Sequence, residues 1–386
     1  MRGPEPVVAA FRRRFAGTPL VVRSPGRINL IGEHTDYNEG FVLPAAVDKA
    51  VYFAAAPRDD RQYNFVAVDL HQDEQGSFDT LAHSSLGWPD YLLGVIEQLE
   101  RRGLKPRGVN LAFGGSIPIG AGMSTSAALE AGFLTVLNTL FELELDKLTM
   151  AQLCQQAENS FVGVRCGIMD QVANLFGREH TLLKLDCRSL DIVEIPFVRE
   201  DLRILLCDSM VRHELASSEY NARRHQCEQG VATLRRQFAD VRALRDATTE
   251  MLASMQSEFD PVVYQRCTYV VEENTRVTAA SEALLKGDID AFGDLLVKSH
   301  EGLRDLYQVS CKELDILVDV ALGVEGVFGA RLMGGGFGGC TINLVREDCV
   351  EEFAMELPEA YRDATGREMN LHVCSIANGT SVLHSA

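Results

Sequence analysis

Arg23-Ser-Pro-Gly-Arg27-Ile-Asn-Leu-Ile-Gly-Glu33-His34-Thr35-Asp36-Tyr-Asn-Glu-Gly-Phe-Val-Leu-Pro44 is the most informative stretch of this 386-residue chain. Arg27, Glu33, His34 and Asp36 fall within ten residues of one another. Two carboxylates, an imidazole and a guanidinium supply donors and acceptors together. A polyhydroxylated ligand needs that mixture, because each hydroxyl both donates and accepts. A packed core would not select it, since ionised groups are rarely buried without partners.

A chain of this length is too long for one small core, and two domains are expected. Apolar residues make up 46% and charged residues 24%, as in ordinary globular proteins. The formal charge is −18, which argues against a nucleic-acid partner needing a basic surface. Anionic nucleotides are not excluded, since a local site can be positive. None of the ten cysteines forms a Cys-x-x-Cys pair, so zinc and thioredoxin-type chemistry lack their spacing. Scattered among apolar residues, they read as free thiols of a reducing compartment. With no apolar leader and no membrane-length apolar run, a cytoplasmic protein without a membrane partner is expected. The sequence is silent on oligomeric state, and a monomer is compatible with it.

Short apolar runs at 41–43, 50–53, 65–68 and 109–113 predict strands. Helical spacing predicts helices over 91–101, 127–143 and 148–161. Longer helical patterns follow at 220–237, 260–285 and 288–306, the last two separated by a stop at Lys286-Gly287. A strand over 341–345, a helix over 347–355 and a strand over 369–376 complete the reading. Strands mixed with unequal helix blocks indicate an α+β protein, with a division placed near residue 200.

Residues 114–130 are rich in glycine and serine and run into a helical pattern. Glycine allows tight anion-binding turns, and a phosphate at the helix start would meet free N–H groups. The plainer alternative is a serine-capped helix after a turn. No lysine is present, so this is not a Walker A loop. Gly334-Gly-Gly-Phe-Gly-Gly339 satisfies Gly-x-Gly-x-x-Gly, but Cys340–Val345 reads as a strand, not the helix a dinucleotide loop must open. A nicotinamide enzyme is disfavoured on that ground. Asp170 sits in the apolar run Cys166-Gly-Ile-Met-Asp170, where an unpartnered carboxylate is costly.

The Arg23–Pro44 stretch closely resembles the first signature of the galactokinases, members of the GHMP small-molecule kinases. Pro118–Ala127 is similar to the second GHMP signature, Pro-x-Gly-x-Gly-Leu-Ser-Ser-Ser-Ala, with Met123 for leucine and Thr125 for serine. Cys166–Gln171, Asp208–Arg224 and Arg331–Cys340 resemble further family segments, in family order. The resemblance implies a two-domain α+β GHMP fold with the active site in the cleft between the units. These would be an N-terminal domain (1–200) like ribosomal protein S5 domain 2 and a C-terminal ferredoxin-like domain (201–386). It further implies ATP-dependent phosphorylation of galactose at the anomeric hydroxyl, with ATP and Mg²⁺. Asp170 would accept the proton of that hydroxyl, and Arg27 would pair with Asp170 and favour the developing alkoxide. Glu33, His34, Thr35, Asp36, the Gly167 backbone and Tyr220 would hold the sugar. The backbone of Gly120, Ala121, Gly122, Met123, Ser124, Thr125 and Ser126 would cradle the phosphates. Ser126 and Glu158 would bind Mg²⁺, and Trp88 would line the adenine pocket. Pro89-Asp90 departs from the family's residues after that tryptophan.

Plainer alternatives remain for several of these residues. The Arg27–Asp170 pair can be a structural salt bridge, Tyr220 a half-buried helix residue and Trp88 a core residue. Relatives acting on N-acetylgalactosamine, galacturonate or arabinose differ at the pocket rim. A silent galactose sensor would be free to lose Arg27, Ser126, Glu158 or Asp170, all of which are intact.

Overall fold

The computed structural model describes residues 3–118, 120–212 and 216–384. The strands are, in chain order, β1 (Leu20–Asn29), β2 (Phe41–Val42), β3 (Pro44–Pro57), β4 (Gln62–Ala67), β5 (Gln72–Ser77), β6 (Val109–Gly115), β7 (Thr181–Asp186), β8 (Ile192–Pro196), β9 (Leu202–Asp208), β10 (Val327–Met333), β11 (Cys340–Arg346), β12 (Asn370–Cys374) and β13 (Ser381–His384). They form a six-stranded sheet ordered β13-β1-β3-β6-β4-β5, a four-stranded sheet ordered β10-β11-β9-β12 and a three-stranded sheet ordered β2-β7-β8.

The helix Thr125–Leu140 lies against β1 and β3, between neighbouring helices. That position explains why Phe133, Leu134, Val136 and Leu137, which point around it, are all buried. Gly132 lets it approach the sheet: a Cβ there would stand 2.2 Å from the Phe53 ring. The helix Glu5–Arg14 covers the other face through Phe11, Ala54, Val66 and Ala112.

The four-stranded sheet is antiparallel throughout. Its chain order, strand–helices–strand–strand–helix–strand, is the ferredoxin-like arrangement. Period-two alternation sends Ile204 and Leu206 of β9 into the main core, and Leu205 and Cys207 under the helices Lys312–Gly323 and Val350–Thr365. Between β9 and β10 the chain inserts a helical block with its own core, including Tyr269, Val270 and Tyr307. Its longest helix, Pro261–Lys286, begins at Asp260, whose carboxylate accepts from the Val262 and Val263 amides, and ends at the left-handed Gly287.

Most expected elements are present with shifted ends. The segment 50–53 is part of the 14-residue β3. The helix expected over 347–355 runs instead over Val350–Thr365, continuing through Pro358. β5, a wholly polar edge strand, carries no apolar alternation by which to recognise it. β13 returns from the far end of the sequence to pair with β1, at Val21↔His384 and Val22↔Val382. No helix among the described residues is long and apolar enough to cross a membrane. All ten cysteines are free.

Candidate active site

β1 delivers Arg27 at an irregularity in its pairing with β3. The short helix Met169–Phe176 delivers Asp170 in its first turn. The two meet as a bidentate pair, with Arg27 Nε donating to Asp170 Oδ1 at 2.6 Å and Nη2 to Oδ2 at 2.8 Å. Arg27 Nη1 also donates to the Gly122 carbonyl, and the Arg27 amide to the Met123 carbonyl at 3.1 Å. The arginine thus ties the aspartate to the glycine-rich loop. The Arg27 side chain is 7% exposed and that of Asp170 is 23% exposed, so the carboxylate faces open space.

That space is a cavity of about 300 Å³ lined by Arg27, Glu33, His34, Asp36, Glu158 and Asp170, with Tyr220 and Gly334–Phe337 closing it. Of the sugar residues expected from sequence, Glu33, His34, Asp36 and Tyr220 reach it. Gly167 touches it indirectly, since a Cβ there would fall 2.0 Å from Asp36 Oδ2. Thr35 is turned away. It is fully buried, with its hydroxyl set against the Gly32 and Phe41 carbonyls at 2.8 and 2.6 Å. Glu33 Oε1 accepts from Arg331 at 3.0 Å and from the Gly334 amide at 2.9 Å.

A second cavity, about 240 Å³ and mostly apolar, is lined by Trp88, Tyr91, Phe113, Ile117, Thr125 and Ser126 among others. Trp88 is both a core residue and a wall of this pocket. Its indole N–H donates to Gln72 Oε1 at 2.8 Å, which fixes the ring. A third space of about 230 Å³ lies between the two glycine-rich loops, lined by Gly120, Gly122, Gly335–Gly339 and Arg212. The Ala121 and Met123 side chains are buried in the core, which leaves the backbone of this loop to line the space. Ser124 precedes the helix Thr125–Leu140 in a left-handed conformation (φ 52°), and its side chain makes no cap. Its hydroxyl donates to Asp170 Oδ2 instead. The amides of the helix's first turn, which have no partner within the helix, remain available to an anion.

Glu158 stands where the helix Lys147–Ala157 widens into a π-turn, Glu158–Val162, closed by the left-handed Gly163. It is buried, and hydrogen-bonded by Ser126, Cys166 and Gln171. Burial and the nearby Asp170 charge push its carboxyl up to about 7. Glu130 is wholly buried beside it, pushed well above the ordinary range by burial and by Glu158. The Glu130 Oε1 atom has no partner among the described residues. No arginine or lysine pairs with either glutamate among the described residues, so this corner lacks positive charge. Glu158 and Ser126 therefore fit a hard divalent cation, which prefers oxygen ligands. No group of three His, Cys, Asp or Glu residues could hold a metal among the described residues. A cation here would thus share its coordination with a ligand's oxygens.

Asp36 is also pushed up to about 7, by burial first, then by the charges of Asp170 and Glu33, against the Tyr37 amide that it accepts from. The ordinary values are 3.8 for Asp36 and 4.5 for Glu158. Between those values and about 7 the folded protein holds protons that the unfolded chain has released. Stability therefore falls as pH rises through that interval, and levels off above it. The urea midpoint of the ligand-free protein is expected to decline from about pH 5 to about pH 7.5, with a shallower slope in Asp36→Asn. A flat midpoint over this range would show both groups already ionised in the folded protein.

Sequence reasoning left Arg212, Arg331, Glu130 and Gln171 without roles. The signal for Arg331 was its place just before the Gly334–Gly339 run. Arg212 is four residues past the end of β9 and pairs with Asp208 at 2.7 and 2.9 Å.

Three family models match the chain: the galactokinase galactose-binding signature over residues 9–57, the GHMP kinases N terminal domain over 90–178 and the GHMP kinases C terminal over 280–363. A galactokinase from a Roseiflexus species is 43% identical over 96% of this chain and 94% of its own length. That of Chloroflexus aggregans is 43% identical over 98% of both. The crystal structure of Lactococcus lactis galactokinase complexed with galactose superposes with a TM-score of 0.94, at 32% identity, over 98% of this chain and 99% of that one. The mevalonate kinase of Methanococcus jannaschii shares the fold at a TM-score of 0.64 and 17% identity, covering 94% of this chain and all of that one. With relatives this similar along nearly its whole length, the chain belongs to the galactokinase family of GHMP kinases.

Proposed function

We propose that this protein transfers the γ-phosphoryl group of ATP to the anomeric hydroxyl of galactose, giving galactose 1-phosphate and ADP. The observation that carries the reading is the Arg27–Asp170 pair, held at the sugar-sized cavity and tied to the loop that lines the inter-glycine space. The apolar cavity at Trp88 suits a purine, and the space beside Gly120, Gly122 and Arg212 suits phosphates. Ser126 lines the first of these and hydrogen-bonds Glu158 of the sugar cavity, while Gly335 and Gly336 line both the sugar cavity and the inter-glycine space, so the three spaces adjoin.

Phosphoryl transfer is mainly positioning and charge stabilisation. Glu33, His34, Asp36 and Tyr220 orient the sugar. Asp170 receives the proton of the attacking hydroxyl, while the Arg27 guanidinium balances the charge that develops there. Backbone amides at the start of the helix Thr125–Leu140, with Arg212, receive the phosphates. Ser126 and Glu158 would hold Mg²⁺, which when bound neutralises the β- and γ-phosphate oxygens. We also place the protein in the cytoplasm and the division between its two units near residue 200.

The test is ADP release from ATP with a panel of sugars: galactose, 2-deoxygalactose, N-acetylgalactosamine, galacturonate, arabinose and glucose. Galactose is expected to lead. Binding of galactose without ADP release from any sugar would overturn the reading. Gly167→Ala is expected to raise the galactose KM at least about tenfold, because its methyl displaces the Asp36 carboxylate and unpairs a buried polar contact. The KM for ATP should stay close to wild type. An unchanged galactose KM would remove Asp36 from sugar recognition.

A further inference from the structure

His34 lies on the sugar cavity, and its ring has two different neighbours. Nε2 lies 3.3 Å from the Gly335 carbonyl oxygen, and Nδ1 lies 2.7 Å from the Tyr37 hydroxyl. The chain of contacts continues inward. Tyr37 and Tyr307 hydroxyls are 2.7 Å apart, and the Tyr307 hydroxyl is 3.2 Å from Cys227 Sγ. Asn38 Nδ2 donates to that sulfur at 3.6 Å and to the carbonyl of His34 itself at 2.9 Å, closing the loop.

Only one direction of hydrogen bonding suits both ends. A carbonyl oxygen accepts and cannot donate. With Nε2 bare, two acceptors would face each other at Gly335. Nε2 must therefore carry the proton, and Nδ1 accepts from Tyr37. Tyr37 then accepts from Tyr307, and Tyr307 from the Cys227 thiol. Burial supports this state, holding His34 neutral with a pKa lowered to about 3 and the Cys227 thiol protonated with a pKa raised to about 11.

We propose that Tyr37, Tyr307 and Cys227 are positioning residues that lock His34 in its Nε2–H form, presenting the sugar with an N–H donor beside the Gly335 acceptor. A sugar hydroxyl entering the cavity can take over this long Nε2–H bond and in turn donate to the Gly335 carbonyl. The relay joins the first signature segment to the inserted helical block, which contributes Cys227 and Tyr307. The ring is further clamped by Tyr307 and Tyr220, with centroids at 4.8 and 5.2 Å. This inference rests on the sugar reading of the cavity, but its first measurement does not.

Nitrogen-15 spectra of histidine-labelled, ligand-free protein report the tautomer, with the His34 signals identified by their loss in His34→Gln. A protonated Nε2 and a bare, hydrogen-bonded Nδ1 are expected. The opposite tautomer overturns the proposal whether or not galactose is the substrate. Tyr37→Phe removes the donor to Nδ1. It is expected to shift the His34 nitrogens and raise the galactose KM roughly tenfold, the usual cost of a lost buried hydrogen bond, with the ATP KM unchanged. If Tyr37→Phe does not fold, the pair Cys227→Ala and Cys227→Ser decides. Serine, which keeps a donor, should restore the His34 signals and the KM that alanine disturbs. An unmoved KM with unmoved signals in both would also overturn the proposal. Absence of any galactose turnover in the wild type would instead sink the function proposed above and leave the tautomer result standing.

Discussion

Asp170→Asn is expected to lower turnover by about 10²–10⁴-fold, the range that a positioned general base supplies. The amide is nearly isosteric and keeps an oxygen for the Ser124 hydroxyl, so the cavity keeps its shape. It cannot take a proton at neutral pH, and it gives the Arg27 guanidinium one acceptor where the carboxylate gave two. Single-turnover phosphorylation of galactose, beside calorimetric titration with the sugar, separates chemistry from binding. The rate should collapse while the sugar affinity stays within a few-fold. A variant with near wild-type turnover would remove Asp170 from the chemistry. Loss of folding, with the rate recovered after stabilisation, would make the Arg27 pair structural.

Arg331→Met is expected to cost about 3–5 kcal/mol of stability, because it strands the Glu33 carboxylate in the interior without its cation. Arg331 is wholly buried, and its guanidinium serves the Leu30, Leu332 and Asn29 carbonyls as well as Glu33. One side chain thus ties β10 to the first signature segment at Asn29, Leu30 and Glu33. Equilibrium unfolding in urea measures the loss. Combining Arg331→Met with Glu33→Gln should recover part of it, since the buried charge is then gone. A loss below about 1 kcal/mol for the single change would mean that Glu33 finds another partner.

The residues that meet at the cavity were readable because their chemistry is unusual for their local setting. Asp170 in an apolar run, and Glu33, His34 and Asp36 crowded into one turn, have no role in a core. The long helices were readable from period and from stop signals such as Gly287. Other parts were not, for physical reasons. β5 is polar on both faces at a sheet edge, and β13 is four residues long with a partner far away in sequence. Pro358 argues for a helix end, yet the helix Val350–Thr365 continues through it, supported by Phe353, Leu357 and Tyr361 in the core. Ser124 looked like a helix cap. The left-handed backbone there aims its hydroxyl at Asp170, a turn that composition does not encode. Glu130 lies in the expected helix 127–143 and Gln171 in the Cys166–Gln171 segment without a role, because their importance lies in a charge imbalance visible only in three dimensions.

The pairing of β13 with β1 has a consequence for how the enzyme comes into being on the ribosome. Thr380 hydrogen-bonds Asn174, and Asn174 in turn grips Ser24 and the Pro25 carbonyl. Asn174 shares a short helix with Asp170, and Ser24 and Pro25 lie just before Arg27. Arg27 and Asp170 are therefore braced from behind by a segment translated about 200 residues after Asp170. Until it emerges, the first sheet presents β1 with one edge unpaired, and the brace behind the pair is missing. Synthesis from the N-terminus thus leaves the Arg27–Asp170 pair unbraced until residues 380–384 have been made.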